Sequence, residues 1–448
     1  MQPNILFLFP DQHRHDWLGC AGNLPLNTPN LDNLAQEGTR FTRCYTPSPI
    51  CSPARACLAT GRRYTRTEVS SNGQNTPVDL PNYYRMLRDG GYQVSGVGKF
   101  DLHKPDLNWG PEGKAMLDEY GFTSGCDNEG KGDAITAYNK NGDKPVGPYM
   151  HHLQKQGVLE SYRDIYFTNG KRHGLCFSAI NPLPSDDYCD NWVGKNALKE
   201  IQNFKKEKPW HLVVNFVGPH DPYDVLPEME ESTKYRDFPK AHANDKNDPD
   251  EILLRQRYYA AMIENIDKRV GELIAAVEKR GELNNTLIIY CSDHGEMLGD
   301  HNRWAKGVMH EASSHVPLIV KGPNVRSGQI KDDLISMHDI SAMILEAANI
   351  PLDEGMDAVS PWPALKGEDK PSRSHLSIGL GNWRLLVEGD YKYVLTKDGE
   401  QRLINLKNDP LEDGDLSLDP NQQDKIKKYR GILEKEVPFT LINTQKDR

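Results

Sequence analysis

The sequence predicts an α/β fold: a large domain with a mixed, mostly parallel central sheet flanked by helices, then a smaller antiparallel sheet with a helix. Three observations predict it. Short continuous apolar runs such as Ile5-Leu6-Phe7-Leu8-Phe9 and Leu287-Ile288-Ile289-Tyr290-Cys291 are of the kind buried on both faces of a parallel sheet. They alternate with amphipathic helical stretches, the pattern of strand-helix-strand connections. Past about residue 366 the chain turns polar, then offers short strands in quick succession and a last helix. The 448 residues are roughly three domain equivalents at about 150 residues each, and we divide them as a catalytic α/β domain over 1–365 and a small α+β domain over 366–448.

Taken in order, the first strand runs from Asn4 to Phe9 and ends directly in Pro10-Asp11-Gln12-His13. A helix over 31–37 follows, with Asn30 as its cap. Residues 80–88 read as a helix and 92–98 as a strand. A strong amphipathic helix covers 192–204, a buried strand 211–217, one long helix or two 251–280, and another strand 285–291. Between 104 and about 190 the chain is rich in Gly, Asn, Asp and Lys with little periodicity, which predicts long loops suited to substrate recognition. In the tail, 383–387 and 391–395 read as strands and 422–436 as a helix. No repeat or low-complexity tract interrupts the pattern.

Composition excludes several functions. A 37% hydrophobic and 26% charged chain is globular in composition, and no apolar run reaches the ~20 residues that span a bilayer. The formal net charge of −10 argues against nucleic acid as a partner, since that affinity rests on a broad basic surface. The eight cysteines are scattered without a CxxC pair, so most are expected to be buried thiols. The apolar start has no basic region ahead of it and no small-residue cleavage site after it, so it reads as a strand and not as a secretion signal. The expected location is the periplasm or the exterior if a signal has been removed, and otherwise the cytoplasm.

Candidate chemistry gathers at strand ends, where open α/β sheets bind ligands. Asp11 and Gln12 follow the first strand, and Asp293 and His294 follow the strand ending at Cys291. Oxygen donors with one nitrogen suit a hard divalent cation, Ca²⁺ with Mg²⁺ as the alternative, and two carboxylates side by side call for one. Cys51-Ser52-Pro53-Ala54-Arg55, continuing to Thr60-Gly61-Arg62, resembles the signature of the type I, formylglycine-dependent sulfatases of the alkaline phosphatase superfamily: Cys-x-Pro-x-Arg, then Thr-Gly-Arg. The resemblance covers about residues 4–320, and the tail is similar in outline.

That resemblance implies that a maturation enzyme converts Cys51 to formylglycine, whose hydrated aldehyde attacks sulfur and also meets the metal. It implies that Arg55 orients the hydrate, that Lys99 of Gly98-Lys99 contacts sulfate and nucleophile, and that His220 or Lys306 protonates the leaving group. The covalent sulfate then leaves by collapse of the hydrate to the aldehyde as a base removes the second hydroxyl proton. Departures stand beside the match. Gln12 replaces a common second Asp and His294 a common Asn, a set that also occurs in phosphonate monoester hydrolases. Asp101 replaces the usual His, so His103 is expected to take over as the base. Lys104, Arg172, His173, Arg303 and Trp304 are candidate substrate contacts, a mix of cations and an aromatic face suited to a sugar. The leading expectation is an exo-acting carbohydrate sulfatase. A phosphonate monoester or phosphodiester hydrolase with the same nucleophile is the first alternative, and a non-catalytic anion- or glycan-binding homologue the second.

Overall fold

Seven strands running one way and one against them build the main sheet. The computed structural model describes residues 2–173, 176–368 and 371–440, with the side chains of 171–173 outside that description. Its strands are β1 (Asn4–Leu8), β2 (Thr39–Tyr45), β3 (Gln93–Gly98), β4 (Ser124–Asp127), β5 (Ser178–Ile180), β6 (Trp210–Asn215), β7 (Tyr223–Val225), β8 (Thr286–Cys291), β9 (His315–Lys321), β10 (Gln329–Ser336), β11 (His375–Leu380), β12 (Trp383–Glu388), β13 (Tyr391–Thr396) and β14 (Gln401–Asn405). The main sheet has the order β10-β2-β9-β8-β1-β6-β3-β4, and β5 and β7 form a separate parallel pair. Among the eight, β9 alone is antiparallel to its neighbours β8 and β2.

β1 shows why the apolar runs became central strands. Ile5 and Phe7 point into one core and Leu6 and Leu8 into another, on opposite faces of the sheet. A run apolar at every position therefore needs cover on both sides. One face is covered by helices including Cys51–Thr60, Tyr83–Asp89 and Asp339–Ala347, the other by Pro29–Gln36, Cys189–Asn203 and Pro249–Lys279. The expected helix over 251–280 is one continuous element.

Two expectations are corrected. The stretch 104–190 is largely helical, with Lys131–Lys140, Pro148–Gln156 and Leu159–His173 packed around their own apolar cluster. Tyr138, Tyr149, Tyr162 and Tyr166 supply much of that cluster, and polar-tipped aromatics hide a helical period that aliphatic residues would show. The helix expected at 31–37 under an Asn30 cap is Pro29–Gln36, with Thr28 at the cap position and no side-chain cap bond. Its free N–H groups are met from far along the chain: Asp267 accepts from Leu31 N at 2.8 Å and Asn30 N at 3.3 Å.

The tail is a four-stranded antiparallel sheet, β11-β12-β13-β14, with the helix Gln423–Glu436 on one face. Alternation along β12 decides which side packs where. Leu386 joins Ile426, Tyr429 and Leu433 of that helix, whereas Leu385 and Val387 pack with Tyr45 and Leu334 of the main sheet. No helix among the described residues is long and apolar enough to cross a membrane.

Candidate active site

Strand ends converge on one point. The C-terminal ends of β1, β3, β6 and β8 deliver Asp11, Lys99, Asn215 and Asp293-His294, and the helix Cys51–Thr60 delivers Cys51 as its first residue and Arg55 one turn on. A helix N-terminus, the Lys99 ammonium and the His294 ring thus face the Cys51 sulfur. Cys51 is 1% exposed, its Sγ lies 3.3 Å from His294 Nε2 and 3.7 Å from Lys99 Nζ, and Ser52 N donates to Asn72 Oδ1 at 3.0 Å. Burial and Asp11 push the Cys51 thiol up, but Lys99, Lys306 and His294 outweigh them and hold it well below the usual thiol range.

Asp11, Cys51, Asp293 and His294 place one ligand atom each within 4.8 Å of one another, all buried. Three details fit a cation there. Asp11 Oδ1 is buried without a hydrogen-bond partner, a costly state that a cation relieves. His294 Nδ1 lies 3.1 Å from the Gly295 carbonyl oxygen and can only donate to it, which leaves the Nε2 lone pair free toward the cluster. Asp293 Oδ1 accepts from the backbone N–H groups of Gln12 and His294, both at 3.0 Å, which fixes its plane.

Arg55 is spent on the two carboxylates of the cluster. Its Nε donates to Asp293 Oδ2 at 3.0 Å, one terminal nitrogen to Asp11 Oδ2 at 3.2 Å, and the other to the Lys99 carbonyl at 2.5 Å and Asn215 Oδ1 at 3.3 Å. It braces both carboxylates, a geometry for which its planar fork is suited. Lys99 Nζ donates to Asp11 Oδ2 at 2.6 Å, with Asp101 Oδ2 at 3.3 Å behind it.

A second group closes the site. Lys306 Nζ lies 2.5 Å from both Gln12 Oε1 and His220 Nε2. His220 Nδ1 donates to the Asp221 carbonyl oxygen at 2.6 Å, so Nε2 is the nitrogen left to accept from Lys306. Gln12, expected as a metal ligand, meets protein groups at both ends of its side chain: its Oε1 accepts from Lys306, while its amide nitrogen donates to Asp221 and Glu296. His103 is also placed differently than expected. Its Nε2 faces Asp127 Oδ2 at 2.9 Å, a pairing that with its neighbours raises its pKa against the effect of burial, and no contact joins it to Cys51.

Of the expected substrate contacts, Lys104, Arg303 and Trp304 have described side chains. Lys104 is locked between Asp101 and Asp133 at 3.0 and 2.8 Å. Trp304 is clamped, its Nε1 donating to Asn247 Oδ1 and its ring lying 4.0 Å under the Arg255 guanidinium carbon; Arg303 is exposed. Arg172 and His173 have side chains outside the described residues. His13 is structural, with Tyr290 OH and the Trp17 carbonyl each 2.7 Å from its ring nitrogens. A cavity of about 490 Å³ between main sheet and tail is lined by His15, Tyr45, His310, His315 and Glu412 among others. It lies beside the chemistry, since Cys51, Asp11 and Asp293 do not line it. Sequence reasoning missed Asn215, Asp221 and Glu296. Glu296 had a signal, as the fourth residue of the polar run Asp293-His294-Gly295-Glu296 after β8.

A buried cysteine at a helix start, a carboxylate-histidine cluster fit for a cation and an opposed pair of nitrogen bases suit a hydrolase of small tetrahedral anion esters on an α/β sheet. The chain belongs to the sulfatase family, whose model matches residues 3–350, and is an enzyme that hydrolyses sulfuric esters. An arylsulfatase of Clostridium perfringens is 28% identical, over 98% of this chain and 95% of its own length. The N-acetylglucosamine-6-O-sulfatase of Bacteroides thetaiotaomicron is 25% identical, over 99% of this chain and 86% of its length. In fold, the chain is similar to the crystal structure of the phosphonate monoester hydrolase of Agrobacterium radiobacter, with TM-score 0.78 and 22% identity over 96% of this chain and 94% of that one.

Proposed function

We propose that this sulfatase removes a single O-sulfate from a carbohydrate, acting at a chain end, with residue 51 as formylglycine and Ca²⁺ as the ion at Asp11, Asp293, His294 and residue 51. The observation that carries the proposal is the placement of Cys51 Sγ within 3.3 Å of His294 Nε2 and 3.7 Å of Lys99 Nζ beside a cluster with one orphaned carboxylate oxygen. That sulfur marks where the attacking oxygen of the hydrate sits. Bound there, a divalent cation supplies a lowered pKa for the attacking hydroxyl. The chain's own residues do the rest. Arg55 holds Asp11 and Asp293 in place, and Lys99, within reach of both Asp11 and residue 51, balances charge on the sulfate oxygens.

The leaving oxygen needs a proton, and the Lys306–His220 pair is the donor: Lys306 Nζ holds its proton between Gln12 Oε1 and His220 Nε2. The carbohydrate assignment is supported by the similarity to the N-acetylglucosamine-6-O-sulfatase. A panel of sulfated mono- and disaccharides, aryl sulfates and choline sulfate, assayed by free sulfate, tests it on protein co-expressed with a maturation enzyme. Release from aryl sulfates with none from any sugar would sink the carbohydrate reading. A second reading, phosphonate monoester or phosphodiester hydrolysis, is favoured by Gln12 and His294. Paired aryl sulfate and phenylphosphonate esters compared by kcat/KM decide between the two, and our reading requires the sulfate to win.

A further inference from the structure

Behind the candidate proton donor lies a carboxylate that none of these roles uses. Glu296 is fully buried. Its Oε1 accepts from Leu298 N at 3.0 Å and Ala305 N at 2.7 Å, so one oxygen ties together both ends of the loop that leads into Lys306. The loop is closed further by Met297 N to Ala305 O at 2.8 Å and Gly299 N to Arg303 O at 2.9 Å. Leu298, His301, Asn302 and Ala305 sit at φ 46°, 53°, 59° and 61°, a left-handed backbone that side-chain-bearing residues hold only when their surroundings impose it. The other oxygen, Oε2, accepts from Gln12 Nε2.

That last bond sets the orientation of Gln12. An amide has one acceptor and one donor end, and Glu296 with Asp221 claims the donor end. Oε1 is left for Lys306. We infer that Glu296 is a positioning residue that presents Lys306 to the leaving group, by closing the loop that carries it and by turning the Gln12 oxygen toward its ammonium. The inference rests on the reading of Lys306 and His220 as the donor pair.

Glu296→Gln separates the two possibilities, scaffold or positioning. A glutamine at 296 keeps its oxygen on Leu298 N and Ala305 N but turns an NH₂ toward the NH₂ of Gln12. The Gln12 amide then flips, and its nitrogen meets the Lys306 ammonium, donor against donor. Formylglycine-containing, Ca²⁺-loaded enzyme is assayed with 4-nitrophenyl sulfate, whose leaving group needs little protonation, and with N-acetylglucosamine 6-O-sulfate or the best sugar sulfate of the panel above.

The expected result is a fall in kcat of about 30- to 100-fold on the sugar sulfate, up to the low end of the roughly 100- to 10,000-fold that full loss of general acid catalysis costs, with at most about 3-fold on the aryl sulfate and KM little changed. Lys306→Ala is the reference and should show the same bias. If Lys306→Ala shows the bias and Glu296→Gln slows both substrates alike or neither, the inference is overturned and the donor reading stands. If Lys306→Ala shows no bias, the donor reading fails and the inference fails with it. Should Glu296→Gln not fold, Gln12→Leu cuts only the amide link and leaves the loop bonds to Glu296; it must reproduce the bias, and equal losses on both substrates reject the idea.

Discussion

Cys51 and Asp11 sit a few ångströms apart, and the physics of each gives a separate test. Cys51→Ala removes the attacking atom and leaves the carboxylates, His294 and the cations in place. Sulfate release is expected to fall by more than about a thousandfold, while calorimetry still detects substrate binding. Retention of most of the activity would mean that another group attacks. Mass spectrometry of the peptide around residue 51 in active protein should show formylglycine, and protein made without a maturation enzyme should keep the thiol and fold. Asp11 offers Oδ2 to Lys99 and Arg55 and leaves Oδ1 free for a cation. Chelation should abolish turnover, and added Ca²⁺ should raise the melting temperature of the wild type, by an amount corresponding to about 2.7 kcal/mol at a hundred times its Kd. Asp11→Asn should lose that Ca²⁺-dependent shift, and an equal shift in both proteins would place the ion elsewhere.

Elements bring these side chains to one point only because neighbouring strands approach closely at their ends. Gly98 closes β3 at φ 104°, and a Cβ there would lie 1.9 Å from the Asn215 carbonyl oxygen at the end of β6. Neither backbone can retreat without moving Lys99 or Asn215. Gly98→Ala is therefore expected to destabilise the fold by at least about 2 kcal/mol, measured by chemical denaturation. Gly142→Ala is the control. It shares a left-handed φ, 64°, with open space around the Cβ, so it should cost only about 1 kcal/mol. Equal costs would show that close strand approach is not what the glycine provides.

At the scale of the whole molecule, a buried charge network joins the tail sheet to the main domain. Lys392 Nζ of β13 lies 2.9 Å from Glu311 Oε1 and 2.6 Å from Glu412 Oε1, while Tyr45 OH and His315 contact the other Glu311 oxygen. Burial works against ionisation of Glu311 and Glu412, and the Lys392 ammonium overcomes it, holding both below the usual carboxylate range. Lys392→Met strands two buried carboxylates and should cost about 3–5 kcal/mol, read as a lower denaturation midpoint. On the tail helix, Glu436 is opposed by burial but held at about 2 by hydrogen bonds from His375 and Ser377 and by the charge of Arg63. A depressed folded pKa stabilises above the ordinary value and loses that contribution as pH falls through the folded one. Stability should therefore be level with respect to this group above about pH 4.5 and decline between there and about 2. Glu436→Gln should flatten that decline, and an unchanged acid limb would rule out this contact as its source.

The sequence by itself determined the architecture and marked the candidate reacting group. Runs such as Ile5 to Phe9 demand cover on both faces, which forces an α/β layering, and Cys51, Arg55, Asp11, Asp293 and His294 lie in short local motifs whose chemistry is written in consecutive residues. The antiparallel β9, the helices between residues 131 and 173 and the Asp267 cap of the first helix needed the tertiary structure, because their partners are distant in the chain or are tyrosines that blur the helical period. The same holds for roles inside the site. Which groups the two ends of the Gln12 side-chain amide meet, and whether His103 reaches residue 51 or pairs with Asp127, depends on which buried donors and acceptors surround each group. Hydrogen-bond satisfaction is a property of the packed interior, so those assignments were decided only when the strand ends came together.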